Sequence, residues 1–409
     1  MRIHRLFEAI ALSAFAITVA ACGSSNEAAR RDGAPGSAIP GSALRVGTGA
    51  IDAAPLFSLG ELEGPPELAF GRVYTIVPTP DRGFLTCDLA DQTLRRYDSA
   101  GVFLKTIGRT GAGPGEYASC YDVLVDIDSG IVVNDPPNAR LVRFTADGTP
   151  RDVISVSTYG GLGGPGTFYV GRDGRYWRKA WIPTPGASEL DLPTQMVILD
   201  RGGRRVDSLH VPAPGQSGGR GFALSTNDGM YSTVPYDSLY AIGADGAIVT
   251  TSPHRYHLKI VRGERTLEVT RDDAAVPYGD AERAEWLAWQ RYLSERNPQQ
   301  RLAPIPELKP FIRAVRVDDI DRVWVQVHVV AEQRPIPPRA PGDARPLLTW
   351  RERNTYDLFD SHTGAYIGRV AFPYATQLMA TQGDRVWLAE EGASGEQRIG
   401  VYDLRAASR

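Results

Sequence analysis

Histidine and cysteine are scarce in this 409-residue chain, and each scarcity removes a class of function. With three cysteines, Cys22, Cys87 and Cys120, it is no disulfide-dense scaffold. Six histidines include no H-E-x-x-H, and the cysteines form no C-x-x-C. His254 and His257 lie three apart, so on a strand they point to opposite faces unless His254 sits in a loop. His210, His328 and His362 are scattered, and no transition-metal site is expected. Only Lys105, Lys179, Lys259 and Lys309 are lysines, and the net charge is −3, so there is no electrostatic case for nucleic acid. The longest apolar run, Ile10 to Ala21, is too short to cross about 30 Å of hydrocarbon as a helix.

That run has another use. Arg2 and Arg5 precede it, and it ends in Val19-Ala20-Ala21-Cys22. A basic start, an apolar middle and small residues at the end make residues 1–21 a signal peptide. Small residues directly before a cysteine resemble the bacterial lipobox, which implies lipidation of Cys22 at the mature N-terminus. An ordinary secretory signal is the alternative. Gly23 stands where an aspartate would resemble an inner-membrane retention signal, so the expectation is a lipid anchor in the outer membrane. Residues 22–42 are mostly Gly, Ser, Ala, Pro and Asn, and read as a flexible tether. Cys87 and Cys120 remain in the body, either bridged or free.

Glycine and proline are abundant, 43 and 30, and they punctuate a repeat. Val73 to Thr86, "VYTIVPTPDRGFLT", alternates apolar residues on both sides of a polar turn, as a β-hairpin does. The pattern recurs at Asp128-Ser129-Gly130, Asp173-Gly174 and Asp245-Gly246, and before Val323-Trp324-Val325 and Val386-Trp387-Leu388. A second hairpin follows most copies, but the last supplies only Ile399–Leu404 before the chain ends. Six units of four strands are the pattern of an all-β, six-bladed β-propeller over residues 43–409. Leu56-Phe57-Ser58-Leu59 is the candidate for the missing strand, closing the ring from the other end of the chain. The glycine-rich stretch Thr106–Tyr117 is followed by strand rather than helix, so it reads as an inter-blade turn and not as a phosphate loop.

Val133–Gly148, "VNDPPNARLVRFTADG", resembles an NHL repeat through Asp135, Asn138, Arg140, Leu141, Phe144 and the glycine turn. Thr86–Gly101 is a looser copy. The chain also resembles the six-bladed propeller lipoproteins of bacteria. The resemblance implies a scaffold rather than an activity.

Asp88, Asp135 and Glu390 occupy equivalent positions past the second strands of three blades, where strand ends approach one mouth of the channel. With His254 they form a candidate ligand or Ca²⁺ set, as in the six-bladed lactonases that the chain also resembles. Alternatively, each carboxylate caps its own turn. Gly215-Gln216-Ser217-Gly218-Gly219 has the letters of a nucleophile elbow, but flanking prolines and Gly221 deny it the strand and helix. In the 270–310 insertion, Asp280 is a candidate N-cap, and Trp286, Trp289 and Leu293 share one helical face. That stripe is either a partner surface or packing. The insertions at 180–191, 212–236, 270–310 and 331–346 follow second or fourth strands and so decorate one face of the ring. The expectation is an envelope-anchored, non-enzymatic binding or scaffolding module. Its ligand, a protein or a small molecule or glycan, would engage the decorated face, with no cofactor required. A Ca²⁺-dependent lactonase or esterase at the channel mouth is the alternative.

Overall fold

The computed structural model describes residues 49–51, 54–88, 90–156, 168–181, 194–210, 223–226, 229–232, 239–296, 304–335, 342, 344–392 and 394–405. The signal and tether segments, Cys22 and the Gly215–Gly219 stretch lie outside these residues, as does most of the 180–191 and 212–236 insertions.

Six antiparallel sheets follow one another along the chain as the blades of a β-propeller. Blade one is Val73–Pro78, Phe84–Asp88, Thr93–Tyr97 and Phe103–Ile107; blade two is Asp122–Val125, Ile131–Asp135, Arg140–Phe144 and Pro150–Ser155. Blades three and four start at Phe168–Val170 and Leu239–Ile242. Blade five begins at Ile312–Val317, and blade six runs from Thr376–Gln382 through Arg385–Glu391 to Gln397–Asp403. Alternation puts every second side chain on each face of a blade, so both faces need cover. Six apolar clusters provide it, one between each successive pair of blades. One of them joins Trp387, Ile399 and Val401 of blade six to Val73, Phe84 and Tyr97 of blade one.

The ring closes as the repeat implies. Phe57–Leu59 pairs antiparallel with the last strand, Phe57 opposite Val401 and Leu59 opposite Ile399. Upstream, Gly49–Ala50 adds a fifth, parallel strand to blade five, a pairing absent from the sequence expectation. Ile51 follows it fully buried in the core between blades five and six. The N-terminal segment therefore staples two blades.

The glycine-rich stretch is indeed an inter-blade turn, and its polarity is the reverse of a phosphate cradle. Arg140 donates to the carbonyls of Ala112 at 2.7 Å and Glu116 at 2.8 Å, while Asp135 accepts from its Nε at 2.9 Å. The loop thus presents oxygens to a cation. Gly108 (φ +62°) and Gly115 (φ +71°) are left-handed, and a Cβ at Gly115 would fall 2.6 Å from Pro150. Asp135 and Arg140 hold this turn against blade two.

The insertion after blade four carries α1, Asp280–Arg296. Its first turn differs from expectation by one residue. Gly279 caps it, accepting from Arg283 N at 2.8 Å, and Glu282 reaches back to the Gly279 N–H at 3.4 Å. Asp280 is the first helical residue instead, where its charge complements the helix dipole.

Candidate functional site

The channel-mouth carboxylates are consumed locally. Asp88 accepts the backbone N–H groups of Gly71 (2.7 Å), Arg72 (3.0 Å) and Ala90 (2.8 Å), so it ties the incoming strand connection to blade one. Asp135 accepts from Ala118 N at 3.1 Å, Asn138 Nδ2 at 2.8 Å and Arg140 Nε. Glu390 accepts the Tyr402 hydroxyl at 2.6 Å, and burial raises its pKa. His254 sits exposed in a turn, its backbone N–H 3.4 Å from Ser252 Oγ. Asp88, Asp135, Glu390 and His254 do not come together in one coordination sphere. Each carboxylate instead satisfies groups that folding leaves without partners.

Among the described residues, one group, Asp245, Asp321 and His362, brings ligating atoms within 4.8 Å of one another. It lies on the short-turn face, away from the insertions. Arg262 Nε donates to Asp245 Oδ2 at 2.5 Å, and Arg172 reaches Asp321 Oδ2 at 2.8 Å. His362 Nε2 contacts the same oxygen at 3.2 Å. Two guanidiniums already neutralise the two carboxylates, so this is an ion-pair clasp between blades rather than a vacant cation site.

The decorated face holds a different construction, which sequence reasoning missed. The connection after blade four and the one inside blade five, residues 328–354, lock together around Lys309. Its side chain is fully enclosed, and its ammonium meets Glu282 at 2.7 Å, Glu352 at 3.0 Å and the Val329 carbonyl at 3.2 Å. Three N–H donors thus find three oxygens, with the Tyr278 ring 5.2 Å away. Glu352 also accepts from His328 Nδ1 at 3.0 Å and Val329 N at 2.9 Å. Burial works to raise the Glu352 carboxyl, but His328, Arg313 and Lys309 outweigh it and hold the group far below the usual range. Burial raises Glu282 despite Lys309, and burial lowers His328 although Glu352 pulls the other way. The four residues come from α1, two connections and a strand end, so no local motif announces them.

The tryptophan stripe belongs to this platform. Trp286 is 7% exposed and packs with Ile305 and Leu348; Tyr278, Trp289 and Leu293 complete the cluster. Glu285 fastens the other side by accepting Thr349 N at 2.6 Å and Trp350 N at 3.2 Å. Trp286 and Trp289 therefore dock the helix and do not form a free partner surface. In blade one, Cys87 is bonded to Cys120 of the next connection, both fully buried in the core between blades one and two.

A family described as a 6-bladed beta-propeller matches residues 57–158. No curated protein matches the chain. Among solved structures, it is similar to a protein described as exported from Bacteroides fragilis, at 13% identity and TM-score 0.45, covering 85% of this chain and 94% of that one. A member of the duf4221 family from Bacteroides vulgatus is similar at 9% identity and TM-score 0.48, covering 85% and 96%. A gluconolactonase from Xanthomonas campestris is similar at 11% identity and TM-score 0.37, covering 85% and 88%. Likeness at this level carries no activity from one chain to another. Among the described residues, no helix is long and apolar enough to cross a membrane.

Proposed function

We propose that this protein is an exported lipoprotein, anchored through Cys22 and the 22–42 tether, whose propeller is a non-enzymatic binding module with its ligand face on the decorated side. The observation that carries the reading is the Lys309 cluster. Two long connections, which a minimal propeller does not need, are joined by enclosed charges into a platform on one face. Enclosed ions are a poor route to stability alone, whereas they fix a particular geometry well when every donor and acceptor is matched. Loops fixed on a rigid ring are the usual place for recognition. The hydrolase alternative requires a converged donor set, and Asp88, Asp135 and Glu390 are each engaged by their own neighbourhood.

Calcium titration of the mature protein, paired with an assay of lactone and ester hydrolysis, tests the choice. The expected result is neither saturable Ca²⁺ uptake nor Ca²⁺-dependent turnover. Tight uptake lost in Asp135→Asn, together with turnover, would replace this reading with the hydrolase. For the anchor, Cys22→Ser should abolish incorporation of a fatty-acid analogue and leave unprocessed precursor. Undiminished labelling of the variant would end the lipoprotein proposal.

A further inference from the structure

The connection inside blade five is basic, in a chain whose net charge is −3. Residues 331–354 hold five arginines, at 334, 339, 345, 351 and 353, against Glu332, Asp343 and Glu352. Glu352 is turned inward, 3.0 Å from the enclosed Lys309 ammonium. Two acids are left for five arginines.

One aromatic ring brings two of these arginines together. The Arg334 guanidinium carbon stands 3.8 Å from the centre of the Tyr374 ring, and that of Arg353 stands 5.3 Å from the same centre. Their separation is at most the sum of those distances, about 9 Å. Each of the three residues is held by different backbone. Arg334 continues the ribbon in which Glu332–Gln333 pairs with Trp350–Arg351, and its N–H donates to the Thr349 carbonyl at 2.8 Å. Arg353 follows Glu352 directly, so the Lys309 cluster fixes its backbone. Tyr374 lies in the connection from blade five to blade six. These connections follow a second and a fourth strand, which puts all three residues on the decorated face.

A guanidinium lying over a ring gives the ring its face and keeps its N–H edge for an acceptor. The Arg334 edge meets Glu332 Oε2 at 2.5 Å, but 40% of the arginine side chain and 59% of the glutamate stay exposed. Such an exposed pair contributes little, so an incoming anion can take the carboxylate's place. We infer that Arg334, Arg353 and Tyr374 form a site for a phosphoryl group. The inference rests on the binding-module reading and gives its ligand a chemical class. A carboxylate has two oxygens and fills one guanidinium fork. A phosphate monoester has three free oxygens and close to two negative charges, which matches two forks and two cations.

Calorimetric titration of the mature protein at low salt tests the site with inorganic phosphate, glucose 6-phosphate and a short-chain phosphatidate. Glucose and acetate are the controls for the sugar and for a lone carboxylate. At least one phosphate probe should bind at a single saturable site, with both controls at least about tenfold weaker. The tightest of the three assigns the source as free phosphate, a sugar ester or a lipid headgroup. Arg334→Gln and Arg353→Gln should each weaken binding about tenfold or more. The exposed Arg334 can be replaced with the melting temperature nearly unchanged. Arg334→Lys keeps the charge but loses the fork, and it should also weaken binding. No saturable binding of any phosphate probe at about 10 mM would overturn the site, as would full affinity in both glutamine variants. Full affinity in Arg334→Lys would equally overturn it, since diffuse charge would then suffice. Such failure is separable from failure of the binding-module reading, which appears as Ca²⁺-dependent turnover in the hydrolysis assay.

Discussion

Blades one and two are built from contacts that are close in sequence; the platform over blades four and five is built from contacts that are not. In the first region, Asp135, Asn138 and Arg140 lie within six residues and secure a turn that begins about thirty residues earlier. In the second, Glu282, Lys309, His328 and Glu352 span 71 positions before they meet around one ammonium. One ring carries both regions. The difference separates what makes a propeller from what makes this propeller particular. Local, repeated contacts build each blade, pairing of the chain ends closes the ring, and a non-local cluster specifies the decorated face.

The largest expected effect concerns the ring itself. Deleting residues 23–42 should leave the melting temperature unchanged. Deleting 23–60 should lower it by more than about 10 °C, because it removes the closing strand of blade six, the added strand of blade five and buried Ile51. Equal melts for both truncations would mean that the two chain ends do not close the ring.

Next in size is the bridge between blades one and two. Cys87 and Cys120 enclose a loop with a sequence separation of 33, so reduction or Cys120→Ala should cost about 3–4 kcal/mol by denaturant unfolding. Two free thiols in the unreduced, denatured protein would show that the bond is absent.

A smaller effect belongs to the platform and depends on pH. His328 is depressed in the folded state, so the unfolded chain binds the extra proton. Its contribution is fully present above about pH 6.5 and falls as pH drops towards the folded value. Glu282 is raised and acts oppositely: its contribution is present below the ordinary carboxyl range and is lost as pH rises through the folded value. Glu352 is depressed and matters only in acid, where its contribution disappears as pH falls through the folded value. Comparing wild type with His328→Asn isolates the imidazole together with its hold on Glu352. Between pH 7.5 and 5.5 the wild type should lose on the order of 1 kcal/mol relative to the variant. Parallel pH profiles would remove His328 from the account.

Much of the first region was legible because period-two alternation and Asp-Gly or Gly turns recur at each hairpin. Leu56–Leu59 was legible for the same reason, since it repeats the outer strand of blade one. Gly49–Ala50 was not: two small residues carry no alternation, and their pairing depends on a strand more than three hundred positions away. The equivalence of Asp88, Asp135 and Glu390 suggested convergence, yet the same equivalence serves a repeated structural task at Asp88 and Asp135, the tying of an inter-blade turn. Lys309 offered one faint signal, a rare lysine beside Pro310 in a non-repeating segment. Its partners come from three other places, and no spacing rule joins them. Trp286 and Trp289 were visible as a helical face, but only the positions of Ile305 and Leu348 decide what that face covers.

Hydrogen exchange of wild type and Lys309→Met tests most directly the claim that one enclosed ammonium holds the decorated face together. Removing it leaves Glu282 and Glu352 buried without their cation, a loss of about 3–5 kcal/mol. The amides of α1 should then lose most of their protection, while those of Ile131–Asp135 in blade two keep theirs. Protection of α1 that survives the substitution, or an equal loss in both regions, would contradict the claim.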